Sequence, residues 1–182
     1  MSLNDPSEPV LVALRAKLSM GPPLQGAPLS INAIAAELGV SHTPVREALA
    51  RLAGEGLVVR TVGGGYIGVV HDAVSLSELY GFAGILAGWL LKEAADAPGL
   101  PTSVAELLTA LDERADNRAL AAEHRRVRVQ LAPFAAAEAA VLGQDQPLRA
   151  GALADGLRRW HQRRVRRSGA ILVASLASAK RG

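Results

Sequence analysis

The stretch GVSHTPVREALARL, residues 39–52, crowds His42, Thr43, Pro44 and Arg46 into the opening turn of an apolar-periodic helix. At about 100° per residue, Thr43, Arg46, Glu47 and Ala50 share one face, and Val45, Ala48, Leu49 and Leu52 share the opposite one. The Arg46 guanidinium can give two parallel hydrogen bonds to guanine O6 and N7, or to a phosphate. The Thr43 hydroxyl reaches a phosphate unless it is spent on capping. Thr43 is expected as the N-cap and Pro44 as the first helical residue, where no backbone N–H is needed. Such a helix can place its first turn in a DNA major groove.

Other chemistry-bearing residues are more scattered. Arg158, Arg159, Arg163, Arg164, Arg166 and Arg167 form a run that reads first as a solvated helix face. Pairing with the acidic middle of the chain, or contact with an anion or nucleic acid, are its alternative uses. His124 and His161 read plainly as surface histidines on basic helices, and Trp89 and Trp160 as core or interface residues. Gly63, Gly65 and Gly68 spell G-x-G-x-x-G, but between strands rather than opening a helix, so dinucleotide binding is not expected. No cysteine nucleophile, G-x-S-x-G or H-E-x-x-H is present, and His71–Asp72 read as a join between domains. The chain is therefore not expected to be an enzyme.

The elements that must position these residues follow from periodicity. Residues 1–8 read as frayed. Val10, Leu11, Leu14 and Leu18 predict a first helix, and residues 20–30 a Pro/Gly loop. Ser30 caps a second helix that Gly39 terminates, and a third runs from Thr43 to Gly54. Residues 57–70 predict a β-hairpin with a triple-glycine turn. Two helices joined by a short turn, then a hairpin, is the layout of a helix-turn-helix with a wing, whose Arg60 and Tyr66 could add contacts. Beyond His71 the pattern is helical. One long helix spans 74–95, and another starts after a Ser103–Glu106 capping box. A helix in two parts covers about 118–142, one covers 147–167, and a short apolar docking helix closes the chain at 170–180.

Composition sets the frame. Apolar residues make up 49% of the 182 and aromatics 3%, so the core must be built from Ala, Leu and Val, which favours closely packed helices. There is no cysteine, which excludes disulfides and thiolate metal sites. The N-terminus lacks a basic run followed by an apolar one, and no stretch of about 18 residues is uninterruptedly apolar, so a cytoplasmic chain with no membrane partner is expected. The net charge of +3 is unevenly spread: residues 1–70 balance, 71–120 carry −5 and 121–182 carry +8. Units with different electrostatic tasks are implied.

The segment LSINAIAAELGVSHTPVREALARLAGEGLVVRTVGGGYIGVV resembles the winged helix-turn-helix of GntR-family bacterial transcription regulators. The matches are AAELGVS, TPVREAL, RLAGEGLVV and the glycine turn, in order. The resemblance implies DNA contacts at Asn32, His42, Thr43, Arg46, Arg51 and Gly63. His42 stands where the family commonly has arginine. VSLSELYGFAGILAGWLLKEAA is similar to the opening helix of the helical effector and dimerisation domain in the FadR-like branch, here shortened. Many such domains hold a divalent metal through one Asp and three His beside a carboxylate effector. His124 and His161 are the residues here that match, so zinc or nickel is the cofactor implied, though none is certain.

The expected fold is mainly α: an N-terminal winged helix-turn-helix of three helices plus a β-hairpin, then an all-helical C-terminal domain. The expected boundaries are 1–70 for the DNA-binding domain, 71–75 for a linker and 76–182 for the helical dimerisation and effector domain. The expected function is a sequence-specific DNA-binding regulator, a homodimeric repressor on a palindromic double-stranded operator, modulated by a small acidic metabolite. The alternative is a degenerate regulator whose helical domain serves only self-assembly or protein contacts.

Overall fold

A computed structural model describes residues 5–94 and 98–179. Residues 1–4 of the frayed start expected at 1–8, the C-terminal residue of the predicted 74–95 helix and Lys180 lie outside them; Ser7 and Glu8, expected to be frayed, already belong to the first helix. The fold is mainly α, a winged helix-turn-helix followed by an all-helical part. The chain divides into two compact units, Met1–Val70 and His71–Gly182.

In the first unit, helices α1 (Ser7–Met20), α2 (Ile31–Leu38) and α3 (His42–Gly54) surround one core, and strands β1 (Pro28–Leu29), β2 (Val58–Arg60) and β3 (Tyr66–Gly68) form a sheet. Val45, Ala48, Leu49 and Leu52 of α3 are wholly buried against Val10, Leu11 and Leu14 of α1 and Ile34 and Ala35 of α2. Burying each of the larger side chains contributes about 1.5–3 kcal/mol. Ser30 caps α2 by accepting from the Ala33 amide at 3.2 Å. Gly39 ends it at φ +65°, a left-handed conformation that glycine adopts without a Cβ penalty.

Two expectations change here. The helix start falls two residues earlier than predicted: Ser41 is the N-cap and Thr43 lies inside the first turn, so its hydroxyl is not the cap. The wing has a third strand, because part of the supposed loop 20–30 pairs with β3, Pro28 opposite Ile67 and Leu29 opposite Tyr66. β3 is thus central. Its Gly68 is buried so closely that a Cβ there would lie 2.2 Å from the Leu24 Cβ.

The second unit contains α4 (Ala73–Glu93), α5 (Val104–Arg114), α6 (Arg118–Leu131), α7 (Ala135–Leu142) and α8 (Leu153–Ala179). A 3-10 turn, Ala132–Phe134, divides α6 from α7, the two-part helix expected. Residues 71–75 are not a free linker: Asp72 and Ser75 form a capping box that starts α4. The box predicted at Ser103 and Glu106 does not form, although Ser103 does precede α5. The predicted 147–167 helix and docking tail are one continuous helix, since nothing between Arg167 and Ala170 breaks the register, and it starts at Leu153 rather than at 147.

α4 and α8 form the spine of this unit. Leu76, Tyr80, Ala83, Ala87 and Leu90 make up the buried face of α4. Glycine allows the helices to close: a Cβ at Gly84 would sit 3.0 Å from the His161 Cβ. α4 is also long and apolar enough to cross a membrane by length and composition alone, yet its inner face is the core of this unit.

Candidate nucleic-acid interface and the buried polar centre

The first turn of α3 follows from the sequence order G-V-S. Gly39 turns the chain sharply, Val40 packs on the core, and Ser41 opens the helix. With Pro44 and Val45 buried, His42, Thr43, Arg46, Glu47 and Ala50 are left exposed together. Asn32, two residues after the Ser30 cap of α2, is exposed as well. Gly63 lies at the exposed wing turn, where a Cβ would meet nothing within 4 Å; the neighbouring Gly64 is the one that requires φ +81°.

The charges of this unit are sorted by ion pairing. Arg15 pairs with Glu55, and Lys17 with Glu37 at 2.7 Å. Arg51 donates to Asp5 at 2.5 Å and to Glu8 at 3.1 Å. Hydrogen bonds from Ser7, and then Arg51, hold the Asp5 carboxyl down to about 2. Arg51 is thus a tether between α3 and the start of α1, and it lies about 140° around α3 from Arg46. Among the described residues, the bases of this unit without an ion partner are Arg46 on α3 and Arg60 on the wing, both exposed. A segment with no net charge therefore presents its uncommitted cations on two neighbouring elements, where an anion could compete for them.

In the second unit the sequence reading needs correction. His124 and His161 are not surface residues; they are wholly and almost wholly buried. His124 donates from Nδ1 to Asp112 Oδ1 at 2.6 Å, and Arg128 donates to Asp112 Oδ2 at 2.7 Å. His124 Nε2 is buried with no hydrogen-bond partner. His161 donates from Nδ1 to the Leu157 carbonyl at 3.0 Å. Burial pushes its pKa down to about 4, with the charges of His124 and Arg164 adding to the fall.

These donors do not fit a divalent metal. Zinc and nickel sites of the imidazole type take three or four protein ligands. Here two imidazoles are available and both oxygens of Asp112 are engaged. No group of three or more His, Asp or Glu among the described residues is placed to hold an ion.

The arginine run is likewise not uniformly solvated. Arg164 is 3% exposed, pairs with Glu138 and Asp145, and stacks 3.3 Å over the Trp160 ring. Tyr80 donates its hydroxyl to Glu138 at 2.7 Å, and burial raises the Tyr80 pKa far above its usual range. Sequence reasoning missed Asp112, Glu138 and Asp145. A signal existed for Asp112, which stands four residues after Leu108, and for the burial of Arg164, the partner of Glu138 and Asp145, three after His161, each in the inward register of its helix.

Residues 6–67 match the model of bacterial regulatory proteins, gntR family. No curated protein matches the chain. Among solved structures, E. coli McbR/YncC is similar over 97% of this chain and 93% of its own, with 20% identity and a TM-score of 0.52. A putative transcriptional regulator GntR from Rhodococcus sp. RHA1 aligns over 97% of this chain and 93% of its own, with 18% identity and a TM-score of 0.44. The first of these likenesses supports the fold across both units; the family match supports DNA binding by the first.

Proposed function

We propose that the chain is a sequence-specific DNA-binding transcription regulator that acts as a homodimer. The observation that carries the reading is the exposed, ion-pair-free Arg46 beside His42 and Thr43 at the start of α3, within a segment matching the gntR family. Arg46 reads a guanine or clamps a phosphate, Thr43 and Asn32 fix the register on the backbone, and the wing with Gly63 and Arg60 lies along the flanking phosphates. Arg51 contributes by holding the start of α1 rather than by touching DNA.

With so few free cations, one copy binds weakly, and two copies on a palindrome gain affinity through effective concentration. A repressor modulated by a small acidic metabolite is one form of this reading. The short donor set at His124 and His161 favours the other, in which the helical unit serves assembly. The test is selection from random duplexes at moderate salt. An enriched palindrome with half-sites about one helical turn apart is the expected result. No enrichment from a folded, dimeric protein would overturn it.

A further inference from the structure

One face of α4 is out of keeping with a helix in a finished core. Val74, Phe82, Ile85 and Trp89 are 65%, 41%, 60% and 56% exposed. With Glu78, Gly81, Gly88 and Lys92 they occupy a stripe within about 60° either side of Ile85, opposite the buried face. The stripe repeats at the heptad spacing Glu78, Ile85, Lys92, with Val74, Gly81 and Gly88 between, which is the pattern of a helix awaiting a partner helix. Beside it, α4 and α8 enclose an open groove of about 1090 Å³ whose walls include Gly81, Gly88, Trp89 and Arg158.

The stripe is self-complementary about its centre. Glu78 and Lys92 each lie seven residues from Ile85, Gly81 and Trp89 four, and Phe82 and Gly88 three. We propose that α4 pairs antiparallel with α4 of a second copy of this chain, with Ile85 on the two-fold axis. The layers on either side of the axis then each match one aromatic ring with one glycine: Phe82 comes level with Gly88 of the second copy, and Trp89 with Gly81. Phe82 and Trp89 lie on one flank of the stripe and the glycines on the other. Rings from opposite copies therefore meet on one side of the seam, while the glycines let the backbones close on the other. Glu78 faces Lys92 of the second copy at both ends. A parallel pair would instead set Glu78 against Glu78 and Lys92 against Lys92. The charges thus choose the direction and the register, and the apolar residues supply the attraction. This pairing rests on the dimeric reading above and names its surface.

The absence of cysteine from the chain makes the test direct. Ile85→Cys in the full chain should form an intermolecular disulfide on mild oxidation, because the axis brings residue 85 opposite itself at bridging range. Glu78→Cys mixed with Lys92→Cys should cross-link, and neither should alone. Val173→Cys, exposed on α8, is the control. By sedimentation, Gly88→Leu should weaken the dimer of the full chain on the order of a hundredfold. A Cβ at Gly88 meets nothing within the copy, so the fold should be unchanged by circular dichroism. Glu78→Lys should weaken it roughly fivefold, and adding Lys92→Glu should restore it. A dimer that ignores Gly88→Leu and does not cross-link at 85 overturns this surface and leaves the dimeric reading standing. A chain that stays monomeric at every concentration, or that uses the stripe to bind neutral lipid vesicles instead, overturns both.

Discussion

α3 and α4 are built on the same plan and finished differently. Each buries one face completely, Val45, Leu49 and Leu52 on α3 and Leu76, Tyr80 and Leu90 on α4. Each leaves the opposite face open. On α3 that face is His42, Thr43, Arg46 and Glu47, which water solvates well. On α4 it is Phe82, Ile85 and Trp89, which water solvates poorly at all times. The buried faces decide that both helices exist; the open faces decide what each meets.

The comparison is broken hardest by attacking the buried side. Leu49→Ala should remove about 2–5 kcal/mol from the first unit, because Leu49 is wholly enclosed and the cavity cannot collapse. DNA binding would fall only as the folded fraction falls, a coupling that calorimetry and titration together reveal. Arg46→Ala should do the reverse. Its side chain holds nothing in place, so the melting temperature should stay put while specific binding loses about 1–3 kcal/mol, with less change on random duplex. Unchanged operator affinity in that variant would remove Arg46 from the reading head.

Much of the α3 plan is legible in sequence, and less of α4. Core and open faces of α3 follow from periodicity, and its start from Gly39 and Pro44, to within two residues. The third wing strand was hidden because Pro28–Leu29 is a pair of residues whose extended shape comes from Tyr66 and Ile67 across the sheet, not from local preference. The buried polar centre was hidden for a related reason. A lone histidine on an arginine-rich helix looks solvated, and only the packing of α5, α6, α7 and α8 shows that Asp112, Glu138 and Asp145 answer those charges. The ion pairs of Arg51 are illegible in sequence for the same reason: Asp5 and Glu8 lie more than forty residues away.

Acid separates the two helices without any substitution. In the native second unit His161 takes up a proton only near pH 4, whereas in the unfolded chain it does so at about 6.5. Between those values the unfolded state binds the extra proton. The contribution of this neutral, buried imidazole is therefore fully present above about pH 6.5 and is lost as pH falls to 4, by about 3 kcal/mol. His71, also lowered by burial, acts in the same direction. The difference in stability between the wild type and His161→Gln, followed by thermal melts across that window, should shrink as pH falls. A constant difference would mean that His161 takes up its proton at the same pH in the native and unfolded chains.

The smallest expected effect bears on how closely α4 is seated. A Cβ at Gly84 would press on the His161 ring and Cβ, both at 3.0 Å. Gly84→Ala should thus cost about 1–3 kcal/mol by overpacking, offset in part by the roughly 0.5–1 kcal/mol that alanine contributes over glycine inside a helix. Gly88→Ala has open space around its Cβ within one copy and gains the helix preference alone. In a dilute monomer, therefore, Gly84→Ala should melt lower than the wild type and Gly88→Ala slightly higher. If the two variants move together, helix propensity and not the contact with His161 sets the response, and the tight approach of α8 to α4 at Gly84 is not what holds the spine.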